Sequence, residues 1–256
     1  MNTRARITGI LAVGLLIWGV SAASAQSGDA QTLLAKMDSI LYPDSFHMKV
    51  VMATHRPDRR DMQMTMESYY KQDVGTLIEI LDPPRSRGTK FLQKEGSLWM
   101  YNPKSNSSRA IRLSPRDSFQ GSVFSNNDIG DPKYANDYRA SFGSDQTIQN
   151  KDLGNVECRT LIGEPKGPTA AYGKIKVWLR KSDNMPLRMD YYAKSGLLFK
   201  RLILTSFKQL AGEQRPSMWR MDSLEQKDAY STVEIQQLEA RNNLPDRMFT
   251  EANLTR

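Results

Sequence analysis

The chain has 256 residues, 39% hydrophobic and 25% charged, with a formal net charge of +8. Its charges are interspersed, as on a solvated surface, without the dense Lys/Arg run of a nucleic-acid face; the basic balance would help the chain approach anionic lipid or an acidic partner. A single cysteine, Cys158, excludes an internal disulfide, and a buried core must hold the chain together.

From the N-terminus, Arg4 and Arg6 precede the apolar stretch from Ile7 to Val20, and Ala23-Ser24-Ala25 forms a small-x-small cleavage pattern. This predicts a signal peptide over residues 1–25, cleavage near Ala25, and a single mature domain over 26–256. The apolar stretch is shorter than the roughly 20 residues of a spanning helix. No cysteine stands near the site, so no lipid-modified N-terminus is expected. The expected product is exported, soluble and periplasmic.

Residues 30 to 41 read as an amphipathic helix. Leu33, Met37 and Ile40, with Leu34 and Leu41, gather on one stripe. Asp29 is a candidate cap for its first amides, and Pro43 limits its continuation. A helix this short needs a surface to lie against.

The period then changes to two. Phe46, Met48, Val50 and Met52 alternate with His47, Lys49, Val51 and Ala53. After the polar turn His55–Arg60, Met62, Met64 and Met66 alternate with Gln63, Thr65 and Glu67. This predicts a hairpin with one apolar face carrying five methionines. Unbranched thioether chains repack around irregular partners, which suits either an adaptable core or a surface for variable acyl chains.

Further short strands are predicted over 76–81, 90–93, 98–101 and 109–113, separated by turn-rich segments. Residues 114 to 146 break the pattern. They read as loops and short helical turns packed by Phe119, Phe124, Ile129, Tyr134, Tyr138 and Phe142. Strands resume over 154–162, 173–180, 186–193, 197–207, 217–222 and 231–237, with a tail carrying Leu244, Pro245 and Phe249. The spacing favours a meandering antiparallel sheet over βαβ units.

Catalytic patterns do not emerge. His47 and His55 lie eight residues apart and far from Cys158, with nothing like HExxH or paired CxxC. Ser122 lacks the GxSxG elbow, and Gly163 to Gly167 reads as a hairpin loop rather than a phosphate cradle. Cys158, in a predicted strand, reads as a small buried hydrophobe. The residues predict no enzyme, no metal and no cofactor.

Three runs carry a resemblance: Asp82-Pro83-Pro84-Arg85-Ser86-Arg87-Gly88-Thr89-Lys90-Phe91-Leu92, then Leu98-Trp99-Met100-Tyr101-Asn102-Pro103, then Phe119-Gln120-Gly121-Ser122. With Tyr172–Trp178, Pro186-Leu187-Arg188, Gly196–Lys200 and Leu244–Thr250 in the same order, the chain resembles the bacterial outer-membrane lipoprotein-sorting protein family, of the LolA/LolB-like superfamily. That resemblance implies a mainly β fold. A strongly curved antiparallel sheet forms an incomplete, half-open barrel, closed by short α-helices around a central hydrophobic cavity.

The resemblance further implies a periplasmic carrier of lipoprotein or lipid, in transient contact with membranes. Its partners would be an acylated lipoprotein or lipid, an inner-membrane transporter and an outer-membrane acceptor. Other relatives act as sensors or adaptors without cargo, and that role stays open. After the Phe-x-Gly-Ser motif the chain departs from the family: Val123 stands where aspartate is common, and of the following acidic and aromatic run only Asp128 is retained.

The expected cavity residues are Leu33 and Met37 from the helix, acting as a movable cover, and Met48, Met52, Met62, Met64 and Met66 from the hairpin. Trp99 is a further candidate, with Leu98 and Met100 as the alternative inward pair. Phe119, Gly121 and Ser122 form a structural or partner-docking motif, with Phe119 expected inside and Gly121 at a tight bend.

Overall fold

The change of period separates the first helix from the strands that follow it. The computed structural model describes residues 20–105, 109–130, 133–168 and 170–255, with side chains from Asp29 onward. The basic head and nearly all of the predicted leader's apolar stretch lie outside the described residues. The first described element, α1 (Val20–Leu41), begins well before the predicted start and runs through Ala23-Ser24-Ala25. Alanine and glutamine sustain helix there. Asp29 therefore sits inside the helix and is not its cap.

The predicted hairpin is β1 (Ser45–His55) and β2 (Met62–Lys71). Then come β3 (Gly75–Asp82), β4 (Lys90–Lys94), β5 (Ser97–Tyr101) and β6 (Ile111–Leu113). The irregular middle holds a 3-10 turn (Phe119–Gly121), α2 (Asn126–Gly130) and α3 (Tyr134–Asp137). It also holds two strands absent from the sequence reading, β7 (Tyr138–Phe142) and β8 (Gln146–Asn150). Both are only five residues long, and both take their partner from the long strand that follows, so local alternation is a weak guide to them.

That partner is β9 (Gly154–Pro165). After it come β10 (Lys174–Arg180), β11 (Pro186–Tyr192), β12 (Leu198–Leu210), β13 (Glu213–Ser223) and β14 (Tyr230–Ala240). A short helix, α4 (Glu251–Leu254), follows them.

All pairings are antiparallel within one sheet, in the order β6-β5-β4-β3-β2-β1-β14-β13-β12-β11-β10-β9-β7, with β8 on β9. Strands β6 and β7 are edges, so the sheet does not close into a barrel. The seam between β1 and β14 joins the two ends of the chain, setting Met52 opposite Val233. Flat, so many strands at roughly 4.8 Å spacing would span about 60 Å. Instead, inward residues from β3, β5, β9, β11 and β13 join α1 in one buried cluster, with Leu34, Met37 and Leu41 on the helix side.

The opposite face carries its own clusters. Trp99, Leu77 and Leu92 pack with Leu244, Phe249 and Leu254 of the tail. Cys158 and Trp178 pack with Met185 and Leu187. Among the described residues, no helix is long and apolar enough to cross a membrane.

Candidate functional site

The inward face of the first hairpin lines a narrow apolar slot. Period-two placement brings Phe46, Met48, Val50 and Met52 of β1 to it, and Met66 and Tyr70 of β2. Trp219 and Val233 enter from β13 and β14, Tyr42 from the end of α1, and Ile129 from α2. Polar groups at its wall are few. Thr76 turns its hydroxyl to the Gly130 carbonyl, 2.6 Å away, which ties the end of α2 to β3. The free volume is about 40 Å³, room for a group the size of a water molecule or a few. It is a narrow, nearly filled hollow with Met48 at its half-buried rim.

Aromatic packing shapes one wall. Tyr42 stacks on Phe46 at 5.7 Å and meets Trp219 edge-on at 5.2 Å, and Phe46 stacks on Tyr70 at 5.2 Å. The methionines supply the other wall, where no ring fixes the geometry.

Of the expected cavity residues, Met48, Met52 and Met66 line the slot. Met37 and Met64 are buried in the same core but outside its lining. Met62 is half-buried at the start of β2, its methyl close against Gly121. Leu33 is only partly buried and lines a separate open groove with Phe142 and Arg159; Leu34 takes the fully buried place on α1. Trp99 lies on the other face beneath the C-terminal tail, so Leu98 and Met100 are the inward pair.

The helix is pinned rather than loosely laid. The Gln31 side chain donates to the carbonyls of Ala135 (3.0 Å) and Tyr138 (3.2 Å) and accepts from the Ala140 amide (2.9 Å). Asp38 accepts from the Ala135 amide at 2.7 Å. Arg215, almost wholly buried, donates to the carbonyls of Ser39 and Ile40, the latter at 2.6 Å. A guanidinium at a helix C-terminus satisfies free carbonyls and complements the helix dipole. These ties run against a movable cover made of α1.

The element over the slot that carries a polar fastening is α2. Ile129 faces the slot, while the neighbouring Asp128 points the other way and is almost completely buried. Tyr172 donates its hydroxyl to Asp128, the Ser125 amide donates to it at 2.7 Å, and Lys200 Nζ lies 3.2 Å from it. Burial first, and then the Asp128 charge, push the Tyr172 phenol well above its ordinary value, so it remains a proton donor. Behind it, the hydroxyls of Tyr134 and Tyr191 meet at 2.8 Å. Periodicity gave no signal for this network, because its members come from α2, the segment before β10, and β12.

The Phe119 motif lies under the same segment. Phe119 is buried against Phe91, ring centroids 4.8 Å apart. Gln120 and Gly121 both have positive φ, 48° and 77°, which makes the bend. Ser122 is fully buried, donating to the Phe124 carbonyl at 3.2 Å, and Arg56 donates to the Gly121 carbonyl at 3.0 Å. Elsewhere, burial pushes the Cys158 thiol up to about 11, which keeps it protonated and inert near neutral pH.

Comparison with known proteins completes the picture. A family model with the description "-like: Uncharacterized protein" matches residues 72–256, and no curated protein matches the sequence. Among solved structures, a LolA superfamily protein from Nitrosomonas europaea is 26% identical, with TM-score 0.77 over 88% of this chain and 98% of that one. A DUF1329 family protein from Desulfovibrio piger shares 22% identity at TM-score 0.77, covering 90% of this chain and 99% of that one. An outer membrane lipoprotein-sorting protein domain described from Vibrio parahaemolyticus shares 20% identity at TM-score 0.73, over 90% and 100%. The chain thus belongs to the family of that model, and its open antiparallel sheet has the LolA-like fold of these solved structures.

Proposed function

We propose that this protein is a periplasmic carrier that takes an acyl chain of a lipid or lipoprotein into the slot between β1, β2 and α2. The observation that carries the reading is the apolar wall of Met48, Val50, Met52 and Met66 on the inward face of a LolA-like sheet. Each buried methylene contributes about 0.8 kcal/mol, so even a partly enclosed chain gains useful affinity. At about 40 Å³ the slot must widen to admit one. Methionine rotamers and displacement of α2 are the means this wall offers. The leader-like segment at residues 1–25 supports export, and the reading needs no catalytic group.

Titration with an uncharged fluorescent acylglycerol tests it. Wild type binds the probe; Met48→Trp, which fills the slot from its half-buried rim, weakens binding about tenfold or more with little change in melting temperature. No binding by wild type sinks the carrier reading. The narrowness of the slot favours a second reading, a sensor or adaptor that binds an envelope protein and carries nothing. Mass spectrometry of the gently purified protein separates the two: co-purifying lipid or acylated polypeptide means carrier, whereas clean protein with a captured envelope partner means adaptor.

A further inference from the structure

Beside the fastening of α2 lie two adjoining hollows of about 290 and 300 Å³, which share Arg116, Phe199 and Lys200. The second is lined by three cations, Arg116, Lys194 and Lys200, and by no carboxylate. Its remaining wall is largely apolar, with Tyr172 and Phe199 as faces and Ser125 as a hydroxyl donor. Arg116 is exposed and pairs with no carboxylate among the described residues. Among the described residues Lys194 reaches the Pro168 carbonyl, at 3.4 Å, and no carboxylate. Lys200 is held between Asp128 and the Tyr172 and Phe199 rings, its side chain 13% exposed. The three cations thus face one carboxylate, Asp128, which lies behind Lys200; with Arg56 and Glu225 of the adjoining hollow the balance stays positive.

Uncompensated positive charge in a half-enclosed hollow concentrates anions, because low-dielectric walls focus the field. Arginine's planar donors match phosphate oxygens, and lysine adds a point charge. The surroundings say what carries the anion. Leu197, at the tip of the β11–β12 hairpin, is 58% exposed, and Leu224 is 45% exposed. The Leu224 amide donates to the Phe199 carbonyl at 2.8 Å, which ties its backbone beside Phe199. The apolar wall of Phe199, Tyr172, Ala171 and Ala193 beside three cations fits a molecule that is anionic at one end and greasy at the other.

We propose that this hollow is a headgroup site for an anionic phospholipid, with the phosphate between Arg116, Lys194 and Lys200 and the apolar part against Phe199 and Tyr172. It deepens the carrier reading and rests on it for the fate of the acyl chain. Asp128 and Ile129 are neighbours on one short helix, so α2 touches both the apolar slot, through Ile129, and Lys200 of the hollow, through Asp128. The substrate class that spans both is a phosphate-bearing amphiphile rather than a neutral acylglycerol.

Calorimetric titration of the full chain with dihexanoyl phosphatidylglycerol, dihexanoyl phosphatidylcholine and inorganic phosphate tests this. Arg116→Gln/Lys194→Gln is the variant, since both side chains are exposed and their loss leaves the core intact. The expected result is preference of wild type for the anionic lipid, weakened roughly tenfold or more by the double substitution and by added salt. The uncharged acylglycerol probe should bind wild type and variant alike. Equal affinity of wild type for the two lipids overturns the proposal, as does an unchanged variant. Inorganic phosphate binding as tightly as the anionic lipid overturns the lipid assignment in favour of a free-anion site. Loss of the acylglycerol signal in wild type, with the anionic preference intact, would instead remove the carrier reading and leave the headgroup site standing.

Discussion

The inner wall at β1 and β2 and the outer wall at β10 to β12 belong to one antiparallel sheet, yet they are held by different forces. Inside, Met48, Met52 and Met66 meet Val50 and Trp219 through contacts without direction. Outside, Asp190 is buried between two guanidinium groups. Arg188 donates to it at 2.6 and 2.8 Å, and Arg201 at 2.8 and 3.0 Å. Arg188 also covers the Trp178 ring at 4.2 Å. A fork-to-carboxylate pair has one good geometry, whereas thioether packing has many of nearly equal energy. On the outer wall Arg201 thus gives β12 a directional tie to β11, whereas the methionines of the inner wall pack without one.

The largest effect tests the cover of the inner wall. Phe119→Ala removes a fully buried ring from against Phe91 and should cost about 3–5 kcal/mol, read as a drop in the denaturant midpoint. A negligible loss would mean that the motif docks a partner instead of filling the core.

Met52→Ala comes next. Met52 is 0% exposed, and its truncation should cost about 3 kcal/mol in a filled core. Met48→Ala, at the half-buried rim, should cost about 1 kcal/mol. Equal losses in urea titrations would erase the distinction between core and rim.

On the outer wall, Asp190→Asn leaves two guanidinium groups without their carboxylate. It should destabilise by about 2 kcal/mol, less than for a wholly buried pair because both arginines are partly in water. The effect depends on pH. Burial pushes the Asp190 carboxyl up, but hydrogen bonds and charge from Arg188 and Arg201 outweigh it and hold the group below its ordinary value. Its folded value being lower than its unfolded one, the contribution is complete above about pH 4 and fades as pH falls through the folded value. Melting curves at pH 7 and pH 3 should show this loss in wild type and not in the Asn variant.

The smallest expected change is Ser122→Ala. Its hydroxyl makes a single 3.2 Å bond to the Phe124 carbonyl, so about 1 kcal/mol is at stake. A loss as large as that of Phe119→Ala would place the hydroxyl at the centre of the bend.

By itself, the sequence determined the parts whose signal is local. The stripe of Leu34, Met37 and Leu41, the period-two hairpin with its turn at His55–Arg60, and the runs that became β3 to β5 and β9 to β14 all declare a buried face through spacing alone. The ordered motifs, read as a resemblance, pointed to the LolA-like fold. Only the tertiary structure decided which wall each face joins. Trp99 went to the outside because β5 sets Leu98 inward and the C-terminal tail covers the other side. Trp219 and Val233 reached the slot because β14 pairs with β1 across nearly the whole chain. The Asp128–Tyr172–Lys200 fastening and the cationic hollow beside it join residues from three segments. Periodicity reports only whether a residue is buried, while pairing between distant strands determines what it is buried against.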